Sequence, residues 1–213
     1  RIPAARTRRT FLRLAGLGLV GLAARYVAES TKAATELPGA SRRFTGSYET
    51  GSFTGIFPAT SWLTDYPDPI AAGWWRLTIE GTTERTLVFT YDELLQLADH
   101  QQTALLDCTG GFYTTQNWTG IPLAPFLYQA GVRSTARSVT VQAVSGYGRR
   151  FPLALARDCL LATHVAGQRL THGHGFPVRL VVPGRRGFDW VKWVSTIRLN
   201  ESSHIWQPPV PLQ

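Results

Sequence analysis

A cysteine followed almost at once by a glycine pair is the pattern in this chain most suited to chemistry. Cys108 follows the half-apolar run Thr103–Asp107 and precedes Thr109 and the pair Gly110-Gly111. Glycine has no Cβ, so the backbone at these positions can approach a bulky partner closely. A cysteine thiolate is both a nucleophile and a soft metal ligand. The pattern predicts that Cys108 lies at the mouth of a site rather than in the core.

Other interpretations of Cys108 stay open at this point. Free cysteines are among the most buried residue types, so an inert thiol is the simplest alternative. We expect that state for Cys159, which lies in the apolar run ALARDCLLA. A disulfide between the two cysteines is a second alternative. A zinc site with His172 and His174 is a third, although no C-x2-C or H-x3-H spacing supports it.

Two basic residues lie in apolar runs, where a charge needs a partner. Arg179 is part of the run Val178–Val182, and Lys192 is flanked by valines and tryptophans. Lys192 is compatible with a strand residue whose amine reaches solvent. With Arg179 and the backbone amides of Gly184–Gly187, it could instead bind a phosphate. One thiolate and two such cations predict a large anionic ligand that also binds through sulfur.

The two nearby histidines have structural interpretations. We expect His172 to be a solvated turn residue, and the alternative to a ligand role for His174 is a hydrogen bond to a nearby backbone carbonyl.

Composition indicates a globular protein without a nucleic-acid partner. Hydrophobic residues make up 44% of the 213 residues and charged residues 17%, which excludes a disordered chain. The net charge is +8, but residues 1–30 hold six arginines and one acid, a local +5 that leaves +3 for the rest. No basic stripe with interleaved aromatics appears in that remainder, as nucleic-acid binding would require.

The N-terminal residues 1–27 predict an export signal or a membrane anchor. Arg8-Arg9 and further basic residues precede the apolar run Leu14–Ala24, the layout of a signal peptide. The paired arginines resemble a twin-arginine motif; an amphipathic helix with a basic start is the alternative. The run alone is shorter than the about 20 apolar residues of a standard membrane span. Methionine is absent, even at position 1, so we expect a processed product or part of a longer chain.

The remaining chain divides into a linker at residues 28–52, a domain at 53–205 and a tail at 206–213. Short strands with interspersed helices predict an α+β fold for this domain, because alternating βαβ units are missing. The predicted strands are Trp74–Glu80, Thr86–Thr90, Thr103–Asp107, Ser138–Val144, Thr163–Ala166, Val178–Val182 and Trp190–Leu199. The predicted helices are Tyr91–Ala98 with Thr90 as N-cap and Glu93 three residues on, Leu123–Ala130 closed by Gly131, and a short one in Arg157–Ala162 after a turn at Phe151–Ala156.

Three blocks, LLDCTGG–NWTGIPLAPFL, HGFPVRLVVPG and FDWVKWV, resemble the molybdopterin-binding domain of the sulfite oxidase family. That family includes the catalytic subunits of bacterial periplasmic methionine sulfoxide reductases. The segment IFPATSWLTD of this chain also resembles these bacterial members. The resemblance covers residues 53–205. It implies a sulfite-oxidase-type fold of mixed sheets with short helices, a Mo-molybdopterin cofactor and two-electron oxygen-atom transfer.

The resemblance also implies roles for individual residues. Cys108 corresponds to the metal ligand of the family. Eight further positions correspond to residues that contact the cofactor in the family: Thr60, Ser61, Trp62, Ser145, His174, Arg179, Val191 and Lys192. At Val191 the implied contact is through the backbone.

The chain departs from the family pattern just after the cysteine. Gly111 and Phe112 stand where sulfite oxidases carry an asparagine and a substrate-binding arginine, and Tyr113 and the next three residues offer neutral donors. A missing charged partner weakens binding by about 1.5–3 kcal/mol. We therefore predict a small neutral substrate such as a sulfoxide, with Cys108, Phe112 and Tyr113 as the catalytic candidates. Sulfite oxidation of the sulfite dehydrogenase type, or an exported scaffold that has lost the cofactor, are the alternatives.

Electron transfer calls for a partner. The chain has neither a Cys-x-x-Cys-His haem motif nor an iron–sulfur spacing. We expect a membrane haem protein, or a membrane haem domain upstream, to exchange electrons with a domain on the periplasmic or extracytoplasmic side.

Overall fold

A computed structural model describes residues 4–35, 42–62 and 65–208. The chain forms two compact units, Arg1–Tyr48 and Glu49–Gln213. The predicted tail therefore lies largely outside the described residues, and so does part of the predicted linker.

The first unit is dominated by one long helix, α1 (Ala4–Ala34). Its segment Arg9–Ala28 has 20 residues and a mean hydropathy of 1.4, enough by length and composition to cross a membrane, although a signal sequence passes the same test. The apolar run Leu14–Ala24 is thus extended by flanking residues to the length of a span. The helix continues to Ala34, past the predicted linker start at residue 28.

The second unit contains two sheets, and a two-residue strand, β1 (Tyr48–Glu49), falls where the units divide. The strands that follow are β2 (Arg76–Gly81), β3 (Leu87–Thr90), β4 (His100–Asp107), β5 (Phe112–Pro122), β6 (Ser138–Ala143), β7 (Gly148–Pro152), β8 (Leu160–Val165), β9 (Gln168–Arg169), β10 (Arg179–Val181) and β11 (Val194–Asn200). The helices are α2 (Tyr91–Leu97), α3 (Leu123–Ala130) and α4 (Leu153–Arg157). Single 3-10 turns occur at His172–His174, Gly187–Asp189 and His204–Trp206. This is the predicted mixture of sheets and short helices.

One sheet has the order β3-β2-β11-β6-β7, and β11 is its centre. It runs parallel to β2 and antiparallel to β6, so that Ile197 pairs with Ile79 on one side and with Val141 on the other. All three side chains are fully buried. Apolar burial on this scale is the main favourable term in folding, and here it fixes the register of the sheet.

The other sheet is centred on β5. The whole length of β4 pairs with one side of β5, and β8 pairs with its other side. β10 pairs with the far side of β8 and places Arg179 opposite Ala162. Cys108 lies in the turn between β4 and β5. The sheet therefore brings the thiol and Arg179 onto one scaffold although 70 residues separate them in sequence.

Local signals explain two helices. Thr90 caps α2: its Oγ1 accepts the Glu93 N–H at 3.2 Å, and the Glu93 carboxylate accepts the Thr90 N–H at 2.7 Å. This reciprocal pair is the capping box that the sequence predicts. Gly131 ends α3 in the left-handed conformation at φ 66°, also as predicted.

Three element predictions were wrong. The segment after Gly111, which is missing from the predicted strands, forms the long strand β5. The short helix α4 (Leu153–Arg157) occupies most of the segment predicted as a turn, and the segment predicted as a helix leads into β8 at Leu160 instead. Short apolar runs of this kind suit a buried helix or a buried strand equally well, and pairing on both sides decides for the strand. The last strand begins only at Val194, because Trp193 adopts a positive φ of 51°.

Candidate active site

A cavity opens beside the turn that carries Cys108. It encloses about 560 Å³, including the solvent at its mouth. The lining residues come from five segments that are distant in sequence. They are Pro58–Trp62 with Asp65; Leu106, Cys108, Thr109 and Phe112; Tyr147; Arg179; and Gly187, Phe188, Trp190 and Lys192. Seven of the eleven predicted site residues are among them: Thr60, Ser61, Trp62, Cys108, Phe112, Arg179 and Lys192.

The turn around Cys108 is tight. The Cys108 N–H donates to the Phe112 carbonyl at 2.8 Å, and the Gly111 N–H donates to the Cys108 carbonyl at 3.2 Å. Gly111 has a φ of 90°, a conformation that favours glycine. The Cys108 Sγ accepts the N–H of Gly110 at 3.3 Å. This geometry fixes the position of the sulfur at the cavity wall.

A second glycine lets another loop approach the cysteine. A Cβ on Gly187 would lie 3.1 Å from the Cys108 Cα and 3.3 Å from the Asp107 carbonyl oxygen. Of the segment Gly184–Gly187, which could supply phosphate-binding amides, only Gly187 reaches the cavity wall.

Arg179 is a buried cation aimed at this cavity. Its side chain is 4% exposed, and its guanidinium lies 5.4 Å and 5.7 Å from the ring centres of Trp118 and Trp190. One terminal nitrogen donates to the His174 carbonyl at 3.3 Å, whereas Nε has no hydrogen-bond partner among the described residues. Burial lowers the pKa of Arg179 to about 10, and Cys108 opposes this shift. A buried cation with an unpaired donor requires an anionic ligand.

Lys192 is the second cation of the wall. It is buried, so its amine does not reach solvent, and Nζ donates to the Gly173 carbonyl at 2.6 Å and to Ser61 Oγ at 3.4 Å. Burial, then the charge of Arg179, lowers the pKa of Lys192 to about 7. An anion bound beside the two cations would reverse this shift.

Gly175 allows the two cations to converge. It has a φ of 104°, and a Cβ there would lie 3.1 Å from the Lys192 Cβ and 3.2 Å from the Arg179 Cβ. Any side chain at this position would push the two basic residues apart. The sequence HGHGFPVR therefore contains a glycine that the site geometry requires.

The cavity fits an anionic ligand held partly through sulfur. Besides Arg179 Nε, the indole Nε1 of Trp62 is buried without a hydrogen-bond partner in the part of the chain that the structure describes. Buried donors without partners are rare in native proteins, and a ligand explains them. Two cations, an unpaired indole donor and one cysteine sulfur share the same wall.

Four predicted site residues are not at the wall: Tyr113, Ser145, His174 and Val191. The His174 ring stacks on Phe57 at 4.2 Å; its Nε2 lies 3.0 Å from the Phe57 carbonyl oxygen and its Nδ1 3.1 Å from Thr171 Oγ1. Burial lowers the pKa of His174, and the Phe57 hydrogen bond opposes the shift. These contacts match the alternative given for His174 in the sequence analysis, a hydrogen bond to a nearby backbone carbonyl.

The other three positions have different surroundings. Val191 is fully buried, its N–H donates to the Asp189 carbonyl at 3.2 Å, and its own carbonyl accepts from Leu180 at 2.8 Å. Tyr113 follows Phe112 on β5 and pairs with Asp107 of β4. Ser145 is exposed, in a turn beside the cavity.

Three alternatives from the sequence lose support. His172 is not a solvated turn residue: its Nε2 lies 2.9 Å from the Pro67 carbonyl oxygen and its ring packs on Tyr66 and Trp193. Both cysteines are free, which excludes a disulfide. The described residues contain no group of three or more metal-ligating side chains, so nothing supports a zinc site.

Sequence reasoning missed several wall residues, among them Asp65, Tyr147, Phe188 and Trp190. The Tyr147 hydroxyl donates to the Phe188 carbonyl, and burial raises the pKa of Tyr147. A signal for Tyr147 existed, because it follows a glycine turn beside the predicted Ser145. Asp65 and Trp190 reach the wall only through tertiary packing.

Fold and cavity together define a domain suited to a large anionic ligand that is held partly through sulfur. The sequence profile of the family described as oxidoreductase molybdopterin binding domain matches residues 64–206, more than half of the chain. The chain belongs to this family.

Individual relatives agree. Mitochondrial sulfite oxidase of Rattus norvegicus is 33% identical over 156 residues, covering 58% of this chain and 29% of that protein. NADH nitrate reductase of Spinacia oleracea is 28% identical over 158 residues, covering 58% of this chain and 17% of that protein. The sulfane dehydrogenase SoxCD of Paracoccus pantotrophus, a solved structure, matches with a TM-score of 0.60 and 30% identity, over 63% of this chain and 40% of that one. The chain thus spans under a third of the rat enzyme.

These matches confirm the predicted sulfite-oxidase-type fold and the predicted cofactor. The domain is a molybdopterin-dependent oxidoreductase domain, and Mo-molybdopterin is its cofactor.

Proposed function

We propose that this domain catalyses two-electron oxygen-atom transfer on a small neutral substrate such as a sulfoxide. Cys108 is the protein ligand of the metal. The bound cofactor supplies a metal that changes its oxidation state by two electrons as an oxygen atom moves. The protein supplies the thiolate, the orientation of the cofactor and the electrostatics of the cavity.

Cofactor binding employs the buried polar groups of the wall. Arg179 and Lys192 bind the anionic part, which gives the Arg179 Nε and the Lys192 amine the partner that burial demands. The loop Thr60–Trp62 closes the opposite side and offers the unpaired indole N–H of Trp62. His174 contributes by positioning, because its carbonyl accepts from Arg179.

Phe112 carries the substrate proposal. Its side chain is buried at the cavity wall near Cys108, where sulfite oxidases have an arginine. Arg179 and Lys192 are the cations among the lining residues, and cofactor binding employs both. Two further arginines nearby are paired: Arg186 with Asp107 at 3.7 Å and Arg149 with Asp189 at 2.8 Å. An anionic substrate therefore lacks a dedicated cation, whereas aromatic rings suit a neutral one.

Sulfite is the second candidate substrate, because the matched relatives include sulfite oxidases. It would have to draw on cations that the cofactor also uses.

We also propose that the domain works on the periplasmic or extracytoplasmic side, with a membrane haem protein or an upstream membrane haem domain as electron partner. The support is the basic, apolar helix α1, whose segment Arg9–Ala28 is long enough to anchor the chain or to serve as an export signal. Fractionation of the expressed full-length chain would test this location.

The substrate proposal is tested by steady-state turnover with a chemical redox mediator. We expect the wild type to turn over a dialkyl sulfoxide faster than sulfite. Phe112→Arg should shift the ratio of kcat/KM toward sulfite by about 10-fold or more, since a charged hydrogen bond contributes about 1.5–3 kcal/mol. Tyr128→Arg, which introduces the same charge at an exposed aromatic residue outside this cavity, is the matched control.

Molybdenum content and melting temperature must be measured for each variant, so that loss of cofactor or fold is not mistaken for altered specificity. Faster wild-type turnover of sulfite than of any sulfoxide would contradict the proposal. Folded protein that binds no molybdenum after expression with the cofactor would favour the scaffold alternative.

A further inference from the structure

Asp65 is the acidic residue among those that line the cavity, and the function proposed above gives it no task. Its N–H donates to the Trp62 carbonyl at 2.7 Å, which ties it to the end of the Thr60–Trp62 loop. Carboxylate oxygen Oδ1 is buried and has no hydrogen-bond partner within the described ranges. A charged carboxylate oxygen without a donor is unfavourable in such a place, so its presence at a site wall calls for a functional reason.

We propose that Asp65 donates a proton to the oxygen atom that leaves the substrate as water. This role rests on the sulfoxide reduction proposed above. In that reaction the S=O bond breaks, the sulfur is reduced by two electrons that come from the haem partner, and the oxygen leaves with two protons as water. Asp65 supplies one proton and regains it from solvent through the cavity mouth. The second proton comes from bulk water.

The surroundings of Asp65 shift its pKa upward from the ordinary aspartate range. Burial raises the pKa of Asp65, while a hydrogen bond with Ser145 and the positive charge of Lys192 oppose the rise. Tyr147 faces the same carboxyl, and Asp65 raises the pKa of that phenol. An anion bound at Lys192 would weaken the opposing charge. A general acid is most effective when its pKa lies near the working pH, which requires a carboxyl shifted upward.

Two other proton-bearing groups of the wall, Tyr147 and Lys192, already donate hydrogen bonds to acceptors within the protein. The Tyr147 hydroxyl donates to the Phe188 carbonyl, and burial raises its pKa further from neutrality. The Lys192 amine donates to the Gly173 carbonyl and to Ser61. Asp65 combines a place at the wall with an unpaired oxygen, so it is the group best placed to gain and lose a proton there.

The first test measures the proton directly. Infrared difference spectra of the cofactor-containing enzyme across a pH titration would follow carboxyl protonation in wild type, Asp65→Asn and Asp68→Asn. Asp68 is an exposed aspartate three residues away and serves as the control. We expect a carboxyl that titrates above the ordinary aspartate range in wild type and Asp68→Asn but is lost in Asp65→Asn. A spectrum unchanged by Asp65→Asn would overturn the proposal.

The second test measures the pH profile of sulfoxide reduction. We expect the wild-type rate to fall as pH rises through the titration found in the infrared spectra. Asp65→Asn should lower kcat by about 100-fold or more and lose that limb of the profile, since general acids contribute 10²–10⁴-fold. Asp65→Glu, which restores a carboxyl, should recover part of the rate together with a pH-dependent limb. Molybdenum content should stay at the wild-type level in all variants.

The two proposals fail in different ways. An active sulfoxide reductase whose Asp65→Asn variant keeps the wild-type rate and pH profile would overturn the role of Asp65 and leave the function intact. A wild type that reduces no sulfoxide would overturn the function and this role with it, even if Asp65 titrates as expected.

Discussion

The surroundings of Cys108 and Cys159 differ far more than the burial of the two residues, which are 9% and 2% exposed. Cys108 lies in a turn between two strands, and its sulfur accepts a backbone N–H from Gly110 at 3.3 Å. Cys159 lies between α4 and β8, and its Sγ–H donates to the Leu155 carbonyl at 3.4 Å. One sulfur is thus placed as an acceptor and the other as a donor.

Charge separates the two regions further. Burial, reinforced by the neighbouring Asp158, raises the pKa of Cys159 to about 12. Cys108 instead has two cations near it, since its sulfur interacts with both Arg179 and Lys192. A low exposed fraction alone therefore does not identify an inert cysteine; the polar groups around the sulfur decide what it can bind.

Replacing each cysteine with serine should show the largest contrast. We expect Cys108→Ser to lose oxygen-atom transfer by more than about 100-fold, because even indirect partners of a metal ligand contribute 10–100-fold. Cys159→Ser should keep wild-type molybdenum content and turnover. The measurements are metal analysis and mediator-coupled turnover of both variants. Full turnover by Cys108→Ser would rule out its role as a ligand and remove the distinction between the regions.

Arg179→Gln should have effects of opposite sign on stability and on cofactor binding. Without cofactor, Arg179 is a buried cation with an unpaired Nε, so its removal should raise the melting temperature of cofactor-free protein. With cofactor, loss of a buried charged partner should weaken retention by about 2 kcal/mol or more. Thermal melts with and without cofactor measure both.

Arg198→Gln is the matched control, because Arg198 is an exposed arginine paired with Glu80 at 2.7 Å. Arg198→Gln should change neither the stability of cofactor-free protein nor the free energy of cofactor binding by more than about 1 kcal/mol. A cofactor-free Arg179→Gln protein that melts below wild type would contradict the predicted gain in stability.

Local sequence signals predicted part of the fold well. α3 and the start of α2 follow from a glycine at the helix end and from the Thr90–Glu93 pair, which act within a few residues. β5 and β8 were missed or misplaced because their identity depends on pairing partners far away in sequence. The sequence could not show that Trp193 lies outside the last strand, because its left-handed backbone conformation has no sequence signature.

The site was predictable where residue type alone reveals it. A cysteine beside glycines, and basic residues in apolar runs, favour a ligand site, and Cys108, Arg179 and Lys192 all line the cavity. Asp65 and Trp190 carry no such conflict in sequence and become wall residues only when distant segments meet. His174 is a different case: the family resemblance implied a cofactor contact there, whereas packing gives both ring nitrogens partners within the protein.

The smallest predicted effect concerns the contribution of Cys159, the cysteine outside the cavity, to the free energy of unfolding. Cys159→Ala removes a buried thiol and should lower the free energy of unfolding by about 1 kcal/mol at pH 7. The Cys159 pKa is raised from 9.0 to about 12 on folding, so the folded state holds its proton more tightly than the unfolded state. That contribution is complete below pH 9 and falls as pH rises toward 12.

By pH 10 the wild type should have lost roughly 1 kcal/mol that the alanine variant cannot lose, since each pKa unit corresponds to about 1.36 kcal/mol. The stability deficit of Cys159→Ala should therefore vanish near pH 10. Urea unfolding of both proteins from pH 7 to pH 10 measures the difference, and other titrating groups cancel between them. A deficit that stays constant over this range would mean that the Cys159 thiol is no more costly to ionise in the folded protein than in the unfolded chain.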